Sequence, residues 1–245
     1  MLLKQLPKYL PRLLDQETTT ILIQIPDGHQ FHVHKSFKAL VDGLFILDEV
    51  WGKEDYRPSF PLGPIHTVLD LGAYLGDFAV WVCSRYHPQK VVALEPSRMM
   101  YDLMVANIAL NRCQDVIIPQ WGAIYREKSK LRLRGPTPAL HYVEEQEGGE
   151  IQGFSLAEII EQHQLSRIDF FKMDIEGGER HVLTAENERW FKGHVHYAFV
   201  EAHDLHGHHK EEALRYFQQL GFEVRYRKIP WFFGIYRIEA LNPAL

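Results

Sequence analysis

Short apolar runs alternate with longer amphipathic stretches over most of the chain. A run that is apolar throughout is typical of a strand buried on both faces, and apolar positions at helical spacing are typical of a helix that covers such a strand. Repetition of the two predicts β-α units over a mostly parallel sheet. The apolar runs are residues 67–71, 91–94, 116–118, 168–173 and 197–200, and the amphipathic stretches are residues 77–86, 99–109, 155–163 and 211–220.

Both ends of the chain depart from this pattern. Residues 21–33 hold two β-prone runs separated by a Pro-Asp-Gly turn signal, which predicts a hairpin, and residues 37–50 carry apolar side chains at helical spacing. Near the other end, residues 222–226 and 231–238 predict an antiparallel hairpin that closes the sheet. The pattern as a whole therefore predicts an α/β fold with a small N-terminal addition.

Residues between positions 52 and 64 are rich in glycine, proline and charge, which is typical of a boundary. We place it near Gly63 and Pro64, so that a hairpin and helix extension covers residues 1–63 and an α/β domain covers residues 64–245. A hairpin and one helix bury too little apolar surface to fold alone. We therefore expect residues 1–63 to cover one side of the binding pocket.

Composition narrows the classes of protein to consider. Apolar residues make up 46% of the 245 positions, without a run long enough to span a bilayer, so we expect no membrane helix. The apolar run at the N-terminus is short and is broken by Pro7 and Pro11, which is unlike a signal peptide, and we expect a cytoplasmic protein. Two cysteines, Cys83 and Cys113, give no support for a disulfide framework or a cysteine zinc site.

Charge argues against nucleic acid as the main partner, because the formal net charge is −5 and phosphate binding needs concentrated lysine and arginine. One segment does alternate basic and other residues, which favours the solvated face of a surface strand. Its basic residues are Arg126, Lys128, Lys130, Arg132 and Arg134.

A glycine-containing turn follows the first strand of the predicted domain. Asp70 lies next to the last residue of the apolar run, and Gly72 and Gly76 flank the turn before a helix. The spacing is not that of the dinucleotide fingerprint, whose tight amide cradle suits a pyrophosphate. An acid beside open backbone groups suits a cationic sulfonium amino acid instead.

An acid also ends the second apolar run, where Glu95 is followed by Pro96 and Ser97. A carboxylate at a strand end can accept hydrogen bonds from both ribose hydroxyls, as in nucleotide-binding α/β folds. The sequence therefore predicts adenosine binding at Glu95.

Two later strands end in groups suited to proton transfer. Asp174 and Glu176 follow one strand, and Glu201 and His203 end the next. Neighbouring carboxylates raise one another's pKa, and histidine transfers protons near neutral pH. Glu176 also fits the start of a helix, where negative charge is favourable, so Asp174, Glu201 and His203 are the stronger catalytic candidates.

The histidine-rich stretch at residues 203–209 contains possible metal ligands, but its spacing matches no helical zinc motif. We interpret it as a solvated loop.

At this point the sequence resembles the FkbM-type S-adenosylmethionine-dependent methyltransferases. The resemblance covers about 180 residues, and its most specific part is Lys-x-Asp-x-Glu-Gly. Two positions depart from the family pattern, since Tyr74 stands where asparagine is usual and Gly178 where alanine is usual. The matching segments are residues 68–76, 93–96, 107–111, 172–179 and 200–203.

The resemblance implies a class I methyltransferase sheet of seven strands with one antiparallel strand. It also implies that S-adenosyl-L-methionine lies over residues 72–76, that Glu95 holds the ribose, and that Gly122 and Ala123 lie near the adenine. The cofactor-binding residues expected on this basis are Asp70, Gly72, Ala73, Tyr74, Gly76, Glu95, Pro96, Ser97, Gly122 and Ala123.

The expected function is methyl transfer to the oxygen of a small-molecule acceptor, with one carboxylate or His203 taking the proton. A second form of this mechanism uses a divalent ion held by Asp174 and Glu201. A nicotinamide-dependent oxidoreductase and a non-catalytic nucleotide-binding module remain as alternatives. Neither the identity of the acceptor nor the oligomeric state is encoded in a recognisable motif.

Overall fold

The computed structural model describes residues 2–15, 17–135, 141–203, 209–229 and 234–245. Its N-terminal segment begins with the short helix α1 (Leu6–Tyr9) between two 3-10 turns, and strands β1 (Thr20–Gln24) and β2 (Gln30–His34) then form an antiparallel hairpin. Helix α2 (Phe37–Leu47) follows and continues into a π-helical turn. Its start is capped by Ser36, whose hydroxyl accepts a hydrogen bond from the Ala39 N–H at 3.2 Å.

The first β-α units of the main domain begin where the apolar runs predict them. Parallel strands alternate with helices here, and the first two strands are mostly apolar and buried, which suits a sheet covered on both faces. The elements are β3 (Thr67–Leu71), α3 (Asp77–Tyr86), β4 (Lys90–Glu95), α4 (Arg98–Leu110) and β5 (Ile117–Trp121).

A second, smaller sheet that the sequence did not predict follows β5. Its four strands lie in the order β6-β9-β7-β8. The five basic side chains of residues 126–134 are exposed on and beside β7, as expected for a surface strand. The strands are β6 (Ala123–Ile124), β7 (Ser129–Arg134), β8 (Tyr142–Glu145) and β9 (Ile151–Phe154).

The chain then returns to the main sheet and completes it. The full strand order is β12-β13-β11-β10-β3-β4-β5, and β13 runs antiparallel to both of its neighbours. The prediction of an α/β fold with a mostly parallel, seven-stranded sheet of the class I methyltransferase type is therefore confirmed. The remaining elements are α5 (Leu156–Gln162), β10 (Phe170–Met173), α6 (Glu188–His194), β11 (Tyr197–His203), α7 (His209–Gln219), β12 (Glu223–Lys228) and β13 (Ile235–Leu241).

Strand order reverses between β3 and β10, because the chain first builds outward to β5 and then returns to the other side of β3. In open α/β sheets, ligands bind at such a switch point, outside the carboxyl ends of the strands. The residues that follow β3, β4, β10 and β11 therefore border one crevice.

Each face of the sheet carries its own apolar core. One core joins α3 and α4 to the N-terminal segment, with Phe31 and Leu44 fully buried beside Phe78. The other core includes Ile159 of α5 and Phe217 of α7. The N-terminal segment thus covers one face of the sheet. None of the helices among the described residues is long and apolar enough to cross a membrane.

Asn107 of α4 and Asn111, which caps the end of this helix, bind the N-terminal hairpin to this core. Asn107 accepts the His32 N–H at 2.7 Å and donates to the His32 carbonyl at 3.2 Å, and Asn111 does the same with Gln30 at 3.1 and 2.7 Å. The two side chains, one helical turn apart, thereby pair with the β2 backbone as a neighbouring strand would. The hairpin is held by directional bonds as well as by apolar contact.

Candidate active site

A cavity of about 300 Å³ opens at the carboxyl ends of β3, β4, β10 and β11. Most of the residues predicted as functional line it, whereas Asp70, Ala73, Gly76 and Ser97 do not. The predicted residues on its wall are Gly72, Tyr74, Glu95, Pro96, Gly122, Ala123, Asp174, Glu176, Glu201 and His203.

The turn after β3 requires glycine at position 72. Gly72 has a φ of +80°, and a Cβ built there would lie 1.8 Å from the Asp174 carbonyl oxygen. The N–H groups of Gly72 and Ala73 both donate to the Leu94 carbonyl, at 3.1 and 2.9 Å. The absence of a side chain therefore lets the loops after β3 and β10 meet at the cavity.

Gly76 serves the fold beside the cavity. It precedes α3 with a φ of +75°, and a Cβ there would lie 3.0 Å from Met104 Cγ. Close packing of α3 on α4 is the physical reason for a glycine at this position.

Glu95 organises the rim of the cavity. Its carboxylate accepts the Tyr74 N–H at 2.9 Å and the Ser97 N–H at 2.8 Å, one on each oxygen. The side chain is buried, and burial raises the pKa of Glu95 to about 8 against the lowering effect of these hydrogen bonds. Each oxygen keeps a further lone pair, so the carboxylate can still accept ribose hydroxyls. Ser97 acts through Glu95 and also caps α4.

Asp70 lies behind the cavity wall, fully buried, and forms an ion pair of 3.1 Å with Lys172 Nζ. Lys172 also donates to the Gly72 carbonyl at 2.7 Å. Burial disfavours the charge on Lys172, but the surrounding carboxylates outweigh it and raise its pKa above the usual value. The Asp70–Lys172 ion pair therefore stabilises the turn at Gly72 from behind the cavity wall.

Asp77 is an acid on the cavity wall that was not among the predicted site residues. Burial is the largest cause that raises the pKa of Asp77, to about 7. Its position directly after Gly76, at the first turn of α3, is a sequence signal for a carboxylate beside the turn at residues 72–76.

The small sheet closes the side of the cavity near Gly122 and Ala123. His141 and Tyr142, next to and within β8, line the cavity there. His141 Nδ1 is buried and has no hydrogen-bond partner among the described residues. No sequence motif marked this residue, because its place depends on how the small sheet folds back.

The ends of β10 and β11 bring together the four predicted catalytic residues. Glu201 and His203 alternate along β11 and so share one face of it. His203 Nε2 lies 3.7 Å from Asp174 Oδ1 and 3.5 Å from Glu176 Oε2. Its Nδ1 lies 3.0 Å from Oε1 of Glu179, which is not among the predicted catalytic residues. In the histidine-rich stretch interpreted as a solvated loop, His203 is instead buried at the end of β11, and residues 204–208 lie outside the described residues.

These contacts decide the charge of His203. Burial lowers the pKa of its imidazole, but the hydrogen bond and charge of Glu179 and the charges of Glu176 and Asp174 raise it to about 10. For the carboxyl group of Glu176, burial acts in the opposite direction and raises the pKa, although the charge of His203 lowers it. At neutral pH the acids therefore hold one positive charge among them.

Glu201 is held from the other side. Arg237 of β13 lies directly opposite it and donates from Nε at 2.7 Å. Arg237 also pairs with Glu49 at 3.3 Å and Asp55 at 2.8 Å, both from the N-terminal segment. Burial raises the pKa of Glu201 although Arg237 opposes it. The arginine was not predicted, because only the strand register brings it to the site.

Tyr56 brings the N-terminal segment into the site. Its buried hydroxyl lies 3.4 Å from both Asp174 Oδ2 and Glu201 Oε1, to which it donates. Its ring stacks near Phe78 and Phe199, with centroid separations of 5.3 and 4.9 Å. Burial and the adjacent carboxylates keep the phenol protonated, because both raise its pKa.

Comparison with known proteins shows which family this chain resembles in sequence. Residues 70–224 match the model of the methyltransferase FkbM domain. A methyltransferase named sdnD from Sordaria araneosa is 26% identical over 191 residues, which cover 61% of this chain and 71% of that protein.

Two solved structures resemble the fold. Methyltransferase FkbM from Methylobacillus flagellatus KT has a TM-score of 0.54 at 15% identity, and the match covers 79% of this chain but only 47% of that one. M. jannaschii TYW2, solved in complex with AdoMet, has a TM-score of 0.50 at 15% identity, with 93% of this chain and 87% of that chain covered.

The family match spans more than half of the chain and includes the turn at Gly72, Glu95 and the strand ends at Asp174 and Glu201. It favours methyl transfer over the oxidoreductase and the non-catalytic module considered above. The chain therefore belongs to the FkbM methyltransferase family and is an S-adenosylmethionine-dependent methyltransferase.

Proposed function

We propose that the protein methylates a hydroxyl oxygen of a small-molecule acceptor. The observation that carries the proposal is the separation of two sets of groups on one cavity wall. Glu95 ends β4, on one side of the switch point, whereas Asp174, Glu201 and His203 end β10 and β11 on the other. A methyl donor bound at the first set directs its methyl group toward the second.

The donor side fits S-adenosylmethionine in shape and charge. Glu95 offers free lone pairs for the ribose, and Gly122 and Ala123 offer a side-chain-poor surface for the adenine. Asp77 places a carboxylate near the turn that would receive the cationic methionine end. Bound there, the sulfonium supplies an already activated methyl group. Asp70, Ala73, Gly76 and Ser97 act in this proposal by shaping the turn and the start of α4.

On the acceptor side, the protein's task is to position the hydroxyl and to take up its proton. Asp174 faces the cavity with one oxygen near Tyr56 and the other near His203, so its carboxylate is oriented by two neighbours. The proton of the acceptor passes to a carboxylate at these strand ends as the new C–O bond forms, since the imidazole of His203 is already protonated at neutral pH. A divalent ion at the same strand ends would assist by lowering the pKa of the acceptor hydroxyl.

A small molecule fits this site better than a nucleic acid. Acidic side chains outnumber the two lysines, Lys38 and Lys172, on the cavity wall, whereas a phosphate backbone is bound by concentrated lysine and arginine. Apolar residues complete the cavity wall, which suits a compact organic molecule. The acids are Asp42, Glu49, Asp77, Glu95, Asp174, Glu176 and Glu201, and the apolar residues include Phe45, Ile46, Ile175, Ile229 and Ile235.

The test is an acceptor screen with methyl-labelled S-adenosylmethionine. The purified protein is incubated with hydroxylated small molecules, matched amines and a transcribed RNA, and products are identified by mass spectrometry. We expect label in an ether formed on a small-molecule hydroxyl. Label found only in RNA or only on nitrogen would overturn the proposal, even though the protein would remain a methyltransferase.

A further inference from the structure

We propose that Asp174, Glu176 and His203 form a binding site for one divalent transition-metal ion. This ligand set replaces the pair Asp174 and Glu201 that the sequence alone suggested. The existence of the site rests on geometry alone, whereas its role in catalysis rests on the proposed function.

The three side chains have the spacing of a coordination shell. One oxygen from each acid and one imidazole nitrogen lie within 4.8 Å of one another. The distances from His203 Nε2 to Asp174 Oδ1 and Glu176 Oε2 are 3.7 and 3.5 Å, longer than a charge-assisted hydrogen bond of about 2.7–2.9 Å. Ligands held about 2.1 Å from one tetrahedral ion lie about 3.4 Å apart, so small shifts would suffice for binding.

His203 provides the independent observation that points to a ligand. Its side chain is only 2% exposed, and among the described residues none hydrogen-bonds its Nε2. The nitrogen faces the cavity, because Nδ1 is committed to Glu179 at 3.0 Å. A metal ion bound at Nε2 would displace the proton that the imidazole carries at neutral pH in the absence of the ion. Metal-binding histidines characteristically donate their second N–H to a carboxylate in this way, which fixes the ring and its tautomer.

Glu179 is itself fixed. It is 2% exposed, and its Oε1 accepts the Gly177 N–H at 3.2 Å. A buried carboxylate that contacts the imidazole but lies off the cavity wall acts as a positioning residue.

Glu176, the second acid of the proposed site, has a strained backbone conformation. Glu176 has a φ of +53°, a left-handed conformation that is unfavourable for a glutamate. This conformation accompanies the placement of its carboxylate against His203. Glu201, in contrast, is neutralised by Arg237 at 2.7 Å, which leaves it less suited to a cation.

One nitrogen and two oxygen ligands favour a borderline or hard divalent ion such as Mn²⁺, Fe²⁺ or Zn²⁺. All three ligands line the cavity, so the remaining coordination positions face the proposed acceptor. A hydroxyl bound there would lose its proton more readily and would be held in place for methyl transfer.

The test uses the full-length protein, stripped with a chelator and titrated with MnCl₂ without donor or acceptor. Electron paramagnetic resonance follows the loss of the free Mn²⁺ signal. We expect one equivalent to bind, with affinity weakened at least about tenfold in Glu176→Gln and in His203→Gln, and by less than about fivefold in Glu201→Gln. Glu176 is partly exposed, so Glu176→Gln gives the decisive result should His203→Gln fail to fold.

Absence of binding at millimolar Mn²⁺ would overturn the inference, and so would wild-type affinity in Glu176→Gln. A loss in Glu201→Gln as large as that in Glu176→Gln would assign a different ligand set and also refute it. Calorimetry with S-adenosylhomocysteine separates this inference from the proposed function, because a protein that binds Mn²⁺ but not S-adenosylhomocysteine keeps the ion site and loses the function.

Discussion

Glu95→Ala should weaken the binding of S-adenosylhomocysteine at least about tenfold. The wild-type carboxylate already accepts the N–H groups of Tyr74 and Ser97 and has lone pairs left for two ribose hydroxyls. Loss of these charge-assisted bonds costs about 1.4 kcal/mol or more, which corresponds to that factor. Glu95→Gln should lose affinity too, because its NH₂ group faces one of the two backbone donors.

The pH dependence gives this prediction a second readout. Burial raises the pKa of Glu95 to about 8, so the carboxylate is partly protonated at neutral pH. Only the ionised form accepts from both hydroxyls, and the wild-type affinity should therefore rise with pH up to about 8 and then level off. The affinity of Glu95→Ala should lack this rise.

Isothermal titration calorimetry across this pH range measures both effects, with thermal melting as a check on folding. Glu145→Ala, which removes an exposed acid on β8, is the matched control and should bind like the wild type. Unchanged affinity in Glu95→Ala, or a wild-type affinity that falls as pH rises to 8, would refute the assignment of the ribose to Glu95.

Three further changes test the framework around the site. Asn107→Ala should cost about 2–4 kcal/mol in urea unfolding, since it leaves the buried Leu75 carbonyl and partly buried backbone groups of β2 without this partner. Asn111→Ala, at a less buried side chain, should cost less, and equal costs would contradict this. Gly72→Ala should cost about 2–5 kcal/mol and abolish S-adenosylhomocysteine binding, because the new Cβ meets the Asp174 carbonyl at 1.8 Å. A fragment of residues 1–63 should show no cooperative unfolding by circular dichroism, and a sigmoidal melt would make it an independent domain.

Local sequence signals predicted the parts of the molecule that depend on neighbours along the chain. Helix α3 has the bounds of its amphipathic stretch, because Gly76 starts it and its apolar side chains repeat at helical spacing. Glu95 was marked by a short buried run followed at once by an acid. Both signals lie within a dozen residues, which is the range over which periodicity and capping act.

The missing parts of the site depend on tertiary structure. Arg237 reaches Glu201 only through the antiparallel register of β13 with β11, and a shift of one residue would turn it to the other face. The N-terminal segment contributes Tyr56 to the site, and His141 lies at the cavity because it directly precedes a strand of the small sheet. For Asp70, the local signal and the tertiary structure differ. An acid near a strand end suggested a contact with the ligand, but its carboxylate is ion-paired with Lys172.

The most direct test of the central claim compares turnover with donor affinity in Asp174→Asn and His203→Ala. These residues end β10 and β11, whereas the proposed donor contacts follow β3 and β4. With an acceptor from the screen, turnover should fall roughly 10²-fold or more while the affinity for S-adenosylhomocysteine stays within about a few-fold. Weak cofactor binding combined with normal turnover at saturating donor would place these residues on the donor side and contradict the account.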